Sequence, residues 1–346
     1  MDNNIILKAE SGDAEAQFYL AGEYFEKKEY KQAFTWYMKA AEQGYADAQY
    51  NLGVIFDNAQ NYEQAFIWYK KAAEKGNADA QFYLGEKYYE GLGVPQDYQQ
   101  AFIWYKKAAE KGNANAQFNL SEMYYNGRGV PQDYQQAFIW YKKAAEKGNV
   151  YAQFNLGIMY HLGQGVSQDE EQAFIWYEKA AQQGNKYAQH NLGAIFEDGL
   201  GIPQDYEQAV IWYKKAAEQG YADAQRNLGV MYRTGQGVPQ NDERAFIWYK
   251  KAAEQGNADA QNSLGVMYRT GQGVPQDYEQ AFFWHKKAAE QGNADAQCNL
   301  GIMYHCGQGV PQDYGQAFTW YKKAVEQGNM VALHNLRAMC NDLKLK

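Results

Sequence analysis

The sequence predicts an all-α chain: a solenoid of nine helix-turn-helix repeats, 32–36 residues each, closed by terminal half-repeats. Three observations predict it. The Gln of a recurring Ala-Gln pair falls at 17, 49, 81, 117, 153, 189, 225, 261 and 297, spaced 32, 32 and then 36 throughout. All nine Trp, from Trp36 to Trp320, keep the same beat, one per unit. The six Pro (95, 131, 203, 239, 275 and 311) keep it too, with Ser167 in the vacant slot. A fixed period in this range marks a stacked array.

The elements follow in chain order. Lys8-Ala9-Glu10-Ser11-Gly12 echoes the end of a second helix and caps the stack. The repeats then run about 13–44, 45–76, 77–112, 113–148, 149–184, 185–220, 221–256, 257–292 and 293–328 as one domain without a linker. In the third, Asn77 caps a helix in which Ala80, Leu84, Tyr83 and Tyr88 recur at helical spacing, and Gly91 stops it. Gly91-Leu92-Gly93-Val94-Pro95-Gln96 turns the chain. Asp97, with Gln100 three places on, reads as a capping box that opens the second helix, Ala101 to Glu110, before Gly112. That helix is apolar well beyond one stripe, as a helix packed on two neighbours must be. The first two repeats lack the four extra loop residues, and the turns there are Lys27–Tyr30 and Asn58–Asn61. A cap helix within 329–346 ends the stack.

Composition narrows the function classes. Lys+Arg 33 against Asp+Glu 41 gives a net charge of −8, and only six residues are Arg, which argues against a nucleic-acid binder with its basic face. No run approaches a membrane span, and the acidic start Met1-Asp2-Asn3-Asn4 lacks the charge and apolar core of a secretory signal. The expected compartment is the cytoplasm, or the periplasm or exterior if a leader has been removed. Cys298, Cys306 and Cys340 are the only cysteines, so no disulfide framework runs through the array.

Gly85, Gly91, Gly93, Val94, Asp97, Ala101, Tyr105, Ala108 and Gly112 sit in the pattern Ala-x-Ala-Gln-x-x-Leu-Gly-x-x-Tyr-x-x-Gly-x-Gly-Val-x-x-Asp-x-x-x-Ala-x-x-Trp-Tyr-x-x-Ala-Ala-x-x-Gly. This resembles the Sel-like repeats, relatives of the tetratricopeptide repeats, over about residues 5–340. The resemblance implies a right-handed superhelix with first helices on the concave wall. It also implies binding and adaptor roles rather than catalysis.

Candidate chemistry reads as architecture. Seven Gly-x-Gly loops follow helices, not strands, and are helix stops rather than phosphate loops. The Trp pack between repeats. His161, His190, His285, His305 and His334 lie in five different units and read as surface or groove substitutions. Cys298 and His305 are seven residues apart on one helix, about 10 Å along its axis and too far to share a zinc, so no metal and no cofactor are expected. A cysteine-rich branch of the resembled family is linked to penicillin binding and β-lactamase activity. Its cysteine pair would fall at Ala109 and Gln117, and neither is Cys here or in any other copy.

By resemblance to tetratricopeptide geometry, the positions one, five and eight after the Gln face the groove. The first reads Phe18, Tyr50, Phe82, Phe118 and Phe154, then His190, Arg226, Asn262 and Cys298. The second holds Glu86 and Glu122, and the third Tyr89, Tyr125, Arg233 and Arg269. Aromatic and Arg side chains dominate binding hot spots. The expected site is therefore an extended peptide or helix with apolar anchors on Phe82, Phe118, Tyr89 and Tyr125 and acidic groups on Arg226, Arg233 and Arg269. The tetratricopeptide carboxylate clamp needs Asn in the second slot, which no repeat supplies. An outer ridge of Ile67, Ile103, Ile139, Ile175, Ile211, Ile247 and Phe283 offers a rival site for self-association, with coverage by the longer loop expected to hide it. The expected function is a non-catalytic protein-interaction scaffold or adaptor, monomeric, with no nucleic acid and no membrane span. The alternatives are an inhibitor or immunity-type protein for one enzyme, and a β-lactamase or cell-wall-ligand relative.

Overall fold

The computed structural model describes residues 3–342, so the last four residues of the expected cap, like Met1 and Asp2, lie outside the described residues. Among the described residues there are twenty helices and no strand. The first, Asn3–Glu10, has 8 residues, and each of the others has 13. None is long and apolar enough to cross a membrane. The chain divides into two compact units, Met1–Trp176 and Tyr177–Lys346.

In unit 1 the third repeat shows why these residues build this hairpin. Asn77 Oδ1 accepts the Ala80 N–H at 2.7 Å and starts the first helix, Ala78–Glu90. Gly91 ends it in the left-handed region at φ 73°. Gly93 follows at φ 77°, and a Cβ there would collide with the Tyr62 carbonyl of the preceding repeat. The long loop is therefore seated on the neighbouring hairpin. Asp97 Oδ1 accepts the N–H groups of Gln99 and Gln100, each at 3.0 Å, and the second helix runs Tyr98–Glu110, three residues earlier than its apolar run. The expected box is only half made. The Asp97 N–H donates to the Tyr88 carbonyl at 2.9 Å, so the Gln100 side chain is not needed there.

Burial explains the small residues. Ala80, Leu84, Ala101 and Ala108 are fully buried, and Tyr105 nearly so. Each large side chain so buried contributes about 1.5–3 kcal/mol. Gly85 sits directly under the Tyr105 ring, closer than any Cβ could stand. The Gln that marks the period is also buried. Gln81 Nε2 donates at 3.1 Å to the Ala73 carbonyl near the end of the preceding second helix, tying repeat to repeat.

Unit 2 repeats the same construction. Gln225 Nε2 reaches the Ala217 carbonyl at 3.0 Å and Gln261 Nε2 that of Ala253 at 3.0 Å. The helix Met330–Asp342 closes the unit, with Ala332 and Met339 packed against Ala317, Tyr321 and Ala324. The helix Ala294–Cys306 persists through both Cys298 and His305, and the three cysteines are free thiols. Among the described residues no three metal-binding side chains converge.

One expectation about the outer face is corrected. The longer loop does not cover the ridge: Ile67, in a repeat without the extra residues, and Ile103, in a repeat that has them, are both 41% exposed. The loop instead packs back on the start of the preceding second helix, as Gly93 does on Tyr62.

Candidate functional site

In unit 1 the second and third slots line two clefts, one repeat apart. A cleft of about 240 Å³ is lined by Glu86, Tyr89, Glu90, Tyr105, Asn119 and Glu122. The next, about 210 Å³, is lined by Glu122, Tyr125, Asn126, Tyr141, Asn155 and Ile158. Each has the same polar floor. Tyr105 OH and Asn119 Nδ2 donate to Glu86, the latter at 2.6 Å. Tyr141 OH and Asn155 Nδ2 donate to Glu122, the latter at 2.8 Å. A phenol from the second helix, a carboxylate from the first and an amide from the next repeat thus converge. Burial pushes the Glu86 carboxyl above its usual range, although the hydrogen bond from Tyr105 pulls the other way.

The aromatic slots do two different things. Phe18, Tyr50, Phe82, Phe118 and Phe154 are half-buried. Phe82 packs on Tyr105 with ring centroids 5.9 Å apart, Phe118 on Tyr141 at 6.1 Å, Tyr50 on Tyr69 at 6.1 Å and Phe18 on Tyr37 at 5.8 Å. These rings bridge the two helices of a repeat and stay partly exposed. Tyr89 and Tyr125 rim the clefts. Tyr89 stacks edge-on against Tyr98 and accepts from Arg128, while Tyr125 OH donates to Gln164 at 2.9 Å.

Unit 2 holds the arginines. Arg226 is half-buried, donates to Asn227 at 2.8 Å and lies 3.9 Å from Asp259. Arg233 is exposed, Arg269 is half-buried, and Arg269 Nε is buried without a hydrogen-bond partner. Arg233 and Arg226 both act electrostatically on Tyr249, and Arg269 on His285.

Two buried polar groups were not expected from the sequence. His285 is not a surface or groove residue: it is 0% exposed, under Gly265, in the slot that holds Tyr105 and Tyr141 in unit 1. Trp284-His285 in place of Trp-Tyr was the signal for that burial. Lys87 is also buried, ion-paired with Asp57 and set over the Tyr62 ring at 4.9 Å. Its slot holds Met123 and Met159 in the next repeats, which marks it as a buried position. Two larger clefts, about 470 and 420 Å³, open elsewhere in unit 1 beside Trp104 and Trp140, and no slot pattern pointed to them.

The comparisons agree with this architecture. The Sel1 repeat matches residues 12–45, 46–77, 78–113, 114–149, 150–185, 186–221, 222–257, 258–293 and 294–329. A Sel1 repeat protein from Oxalobacter formigenes is 34% identical over 97% of this chain and 89% of its own, with a TM-score of 0.66. A protective antigen of uropathogenic Escherichia coli with the SLR fold is 36% identical over 99% of this chain and 90% of its own, with a TM-score of 0.52. An immunity protein of Pseudomonas aeruginosa matches at 23% identity over 62% of this chain and 81% of its own, with a TM-score of 0.35, too distant to bear on function. No match is found among curated proteins. Nine tandem matches laid over nine hairpins, each tied to the last by its buried Gln, establish that the chain belongs to the Sel1 repeat family.

Proposed function

We propose that this chain is a non-catalytic scaffold that binds a protein or peptide on the exposed faces of its first helices. The observation that carries the reading is the pair of clefts in unit 1. They repeat in register, share the Glu–Tyr–Asn floor and are rimmed by Tyr89 and Tyr125. A ligand crossing successive first helices would meet the same chemistry at each step, with half-exposed Phe82 and Phe118 beside it. Such tandem sites suit an extended or helical segment better than a single small molecule. Phe18, Tyr50, Phe154, Glu86 and Glu122 complete this face, and Arg226, Arg233 and Arg269 form the corresponding face of unit 2.

The test is a crosslinked pull-down from the source cell with the native chain and with Tyr89→Ala/Tyr125→Ala. These rings sit at the rim, so the variant keeps its helical circular dichroism. The reading expects a partner held by the native chain and lost by the variant. A partner held equally by both would contradict it and move the site to the outer ridge or the clefts beside Trp104 and Trp140.

A further inference from the structure

We propose that repeats seven and eight, in unit 2, bind an acidic peptide segment, whose side-chain carboxylate takes the place of an acid that other repeats carry internally. The inference rests on the scaffold reading and names the chemistry of the partner at this face.

The argument begins with the phenol of the second helix. In four repeats its hydroxyl has an internal carboxylate: Asp57 for Tyr69 at 3.4 Å, Glu86 for Tyr105, Glu122 for Tyr141, and Glu197 for Tyr213 at 2.6 Å. The acid comes from the fifth or the eighth position after the Gln. In repeat seven those positions are Val230 and Arg233, and in repeat eight Val266 and Arg269. No acid stands in either, and the corresponding buried groups are orphaned. Tyr249 OH has no hydrogen-bond partner, nor has either ring nitrogen of His285, nor Arg269 Nε. Ser263, in the slot of Asn119 and Asn155, lies close enough to favour negative charge on the Tyr249 oxygen but does not supply that bond. A buried donor without an acceptor costs about 1–3 kcal/mol.

The charge around these orphans has also been reversed. Where unit 1 sets carboxylates on the first helices, repeats seven and eight set Arg226, Arg233 and Arg269. Among the described residues Arg233 has no ion-pair partner, and Arg226 has only the exposed Asp259 at 3.9 Å, a contact that contributes little. An incoming carboxylate meets two guanidinium groups in this net-acidic chain and restores negative charge beside the buried Tyr249 hydroxyl, where its counterparts carry an internal acid. Arg269, one repeat on, holds a second acid of the same segment. An acidic peptide is thus the complementary ligand.

The experiment is fluorescence anisotropy of the full chain with a labelled peptide of alternating Glu and Ala, against the same peptide with Gln for Glu. The native chain is expected to bind the Glu peptide at least about tenfold more tightly than the Gln peptide. Arg233→Gln/Arg269→Gln should abolish that preference. Val230→Glu, which installs the internal acid in the register of Glu86, should also abolish it while leaving every arginine in place. Should Val230→Glu fail to fold, the double Arg variant decides alone. No preference in the native chain would overturn the proposal, and so would an undiminished preference in either folded variant. Displacement of the peptide by equimolar inorganic phosphate would overturn it as well, because the site would then take a free anion. A partner still captured through unit 1 while the Glu preference is absent would sink this inference and leave the scaffold reading standing.

Discussion

A neutral imidazole held at zero exposure with both nitrogens unpaired makes the fold sensitive to acid. Burial first, and the nearby Arg269 second, push His285 down to about 3 from 6.5. Between those values the unfolded chain binds a proton there that the folded chain does not. Stability is therefore full above about pH 6.5 and falls as the pH drops toward 3. At about pH 5 the loss is about 2 kcal/mol. His285→Phe should remove it, so thermal midpoints of variant and native chain should diverge as the pH is lowered from 7 to about 5; parallel curves would refute this. A second residue-scale rule involves the Gln before Gly-Asn or Gly-Tyr. Gln219 and Gln255 donate to Gln189 and Gln225, each at 2.7 Å, whereas Lys75, Lys111 and Lys147 leave Gln49, Gln81 and Gln117 Oε1 unpaired. Lys111→Gln should stabilise the chain by about 1 kcal/mol in urea titration, even with the loss of the Lys111–Gly76 contact. Spacing made the buried Gln easy to find, but not its bond to a carbonyl in the preceding repeat, which exists only once repeats stack.

At the scale of the element, the hairpin's ends were more legible than its faces. Asn caps, Gly stops and the Asp that opens the second helix all stand where residue chemistry places them. Asp97→Ala should cost about 1 kcal/mol, read as a lowered midpoint in denaturant, because the N–H groups of Gln99 and Gln100 lose their acceptor. Gly93→Ala should cost more, at least about 2 kcal/mol, since a left-handed φ and a collision with the neighbouring carbonyl act together. The reciprocal half of the capping box failed because local pattern cannot show that the Asp97 N–H reaches back across the loop to Tyr88. The expected loop cover over the outer Ile ridge failed for the same reason: where a loop lies is decided by its neighbour, not by its own residues. His285 was misjudged because histidine is polar on average, while its slot is a core slot.

For the whole molecule, the period in Gln, Trp and Pro was sufficient to specify an all-α Sel1 repeat array. The candidate site was legible only in part. Glu86, Glu122, Tyr89 and Tyr125 do share clefts, but the phenol and amide that complete each floor come from a second helix and from the following repeat. The most direct measurement of the central claim places a photo-crosslinking amino acid in the full chain, at Tyr125 on the first-helix face or at Ile139 on the outer ridge, within the source cell. The scaffold account predicts a discrete partner adduct from position 125 and none from position 139. Adducts from position 139 alone would contradict it and assign recognition to the ridge.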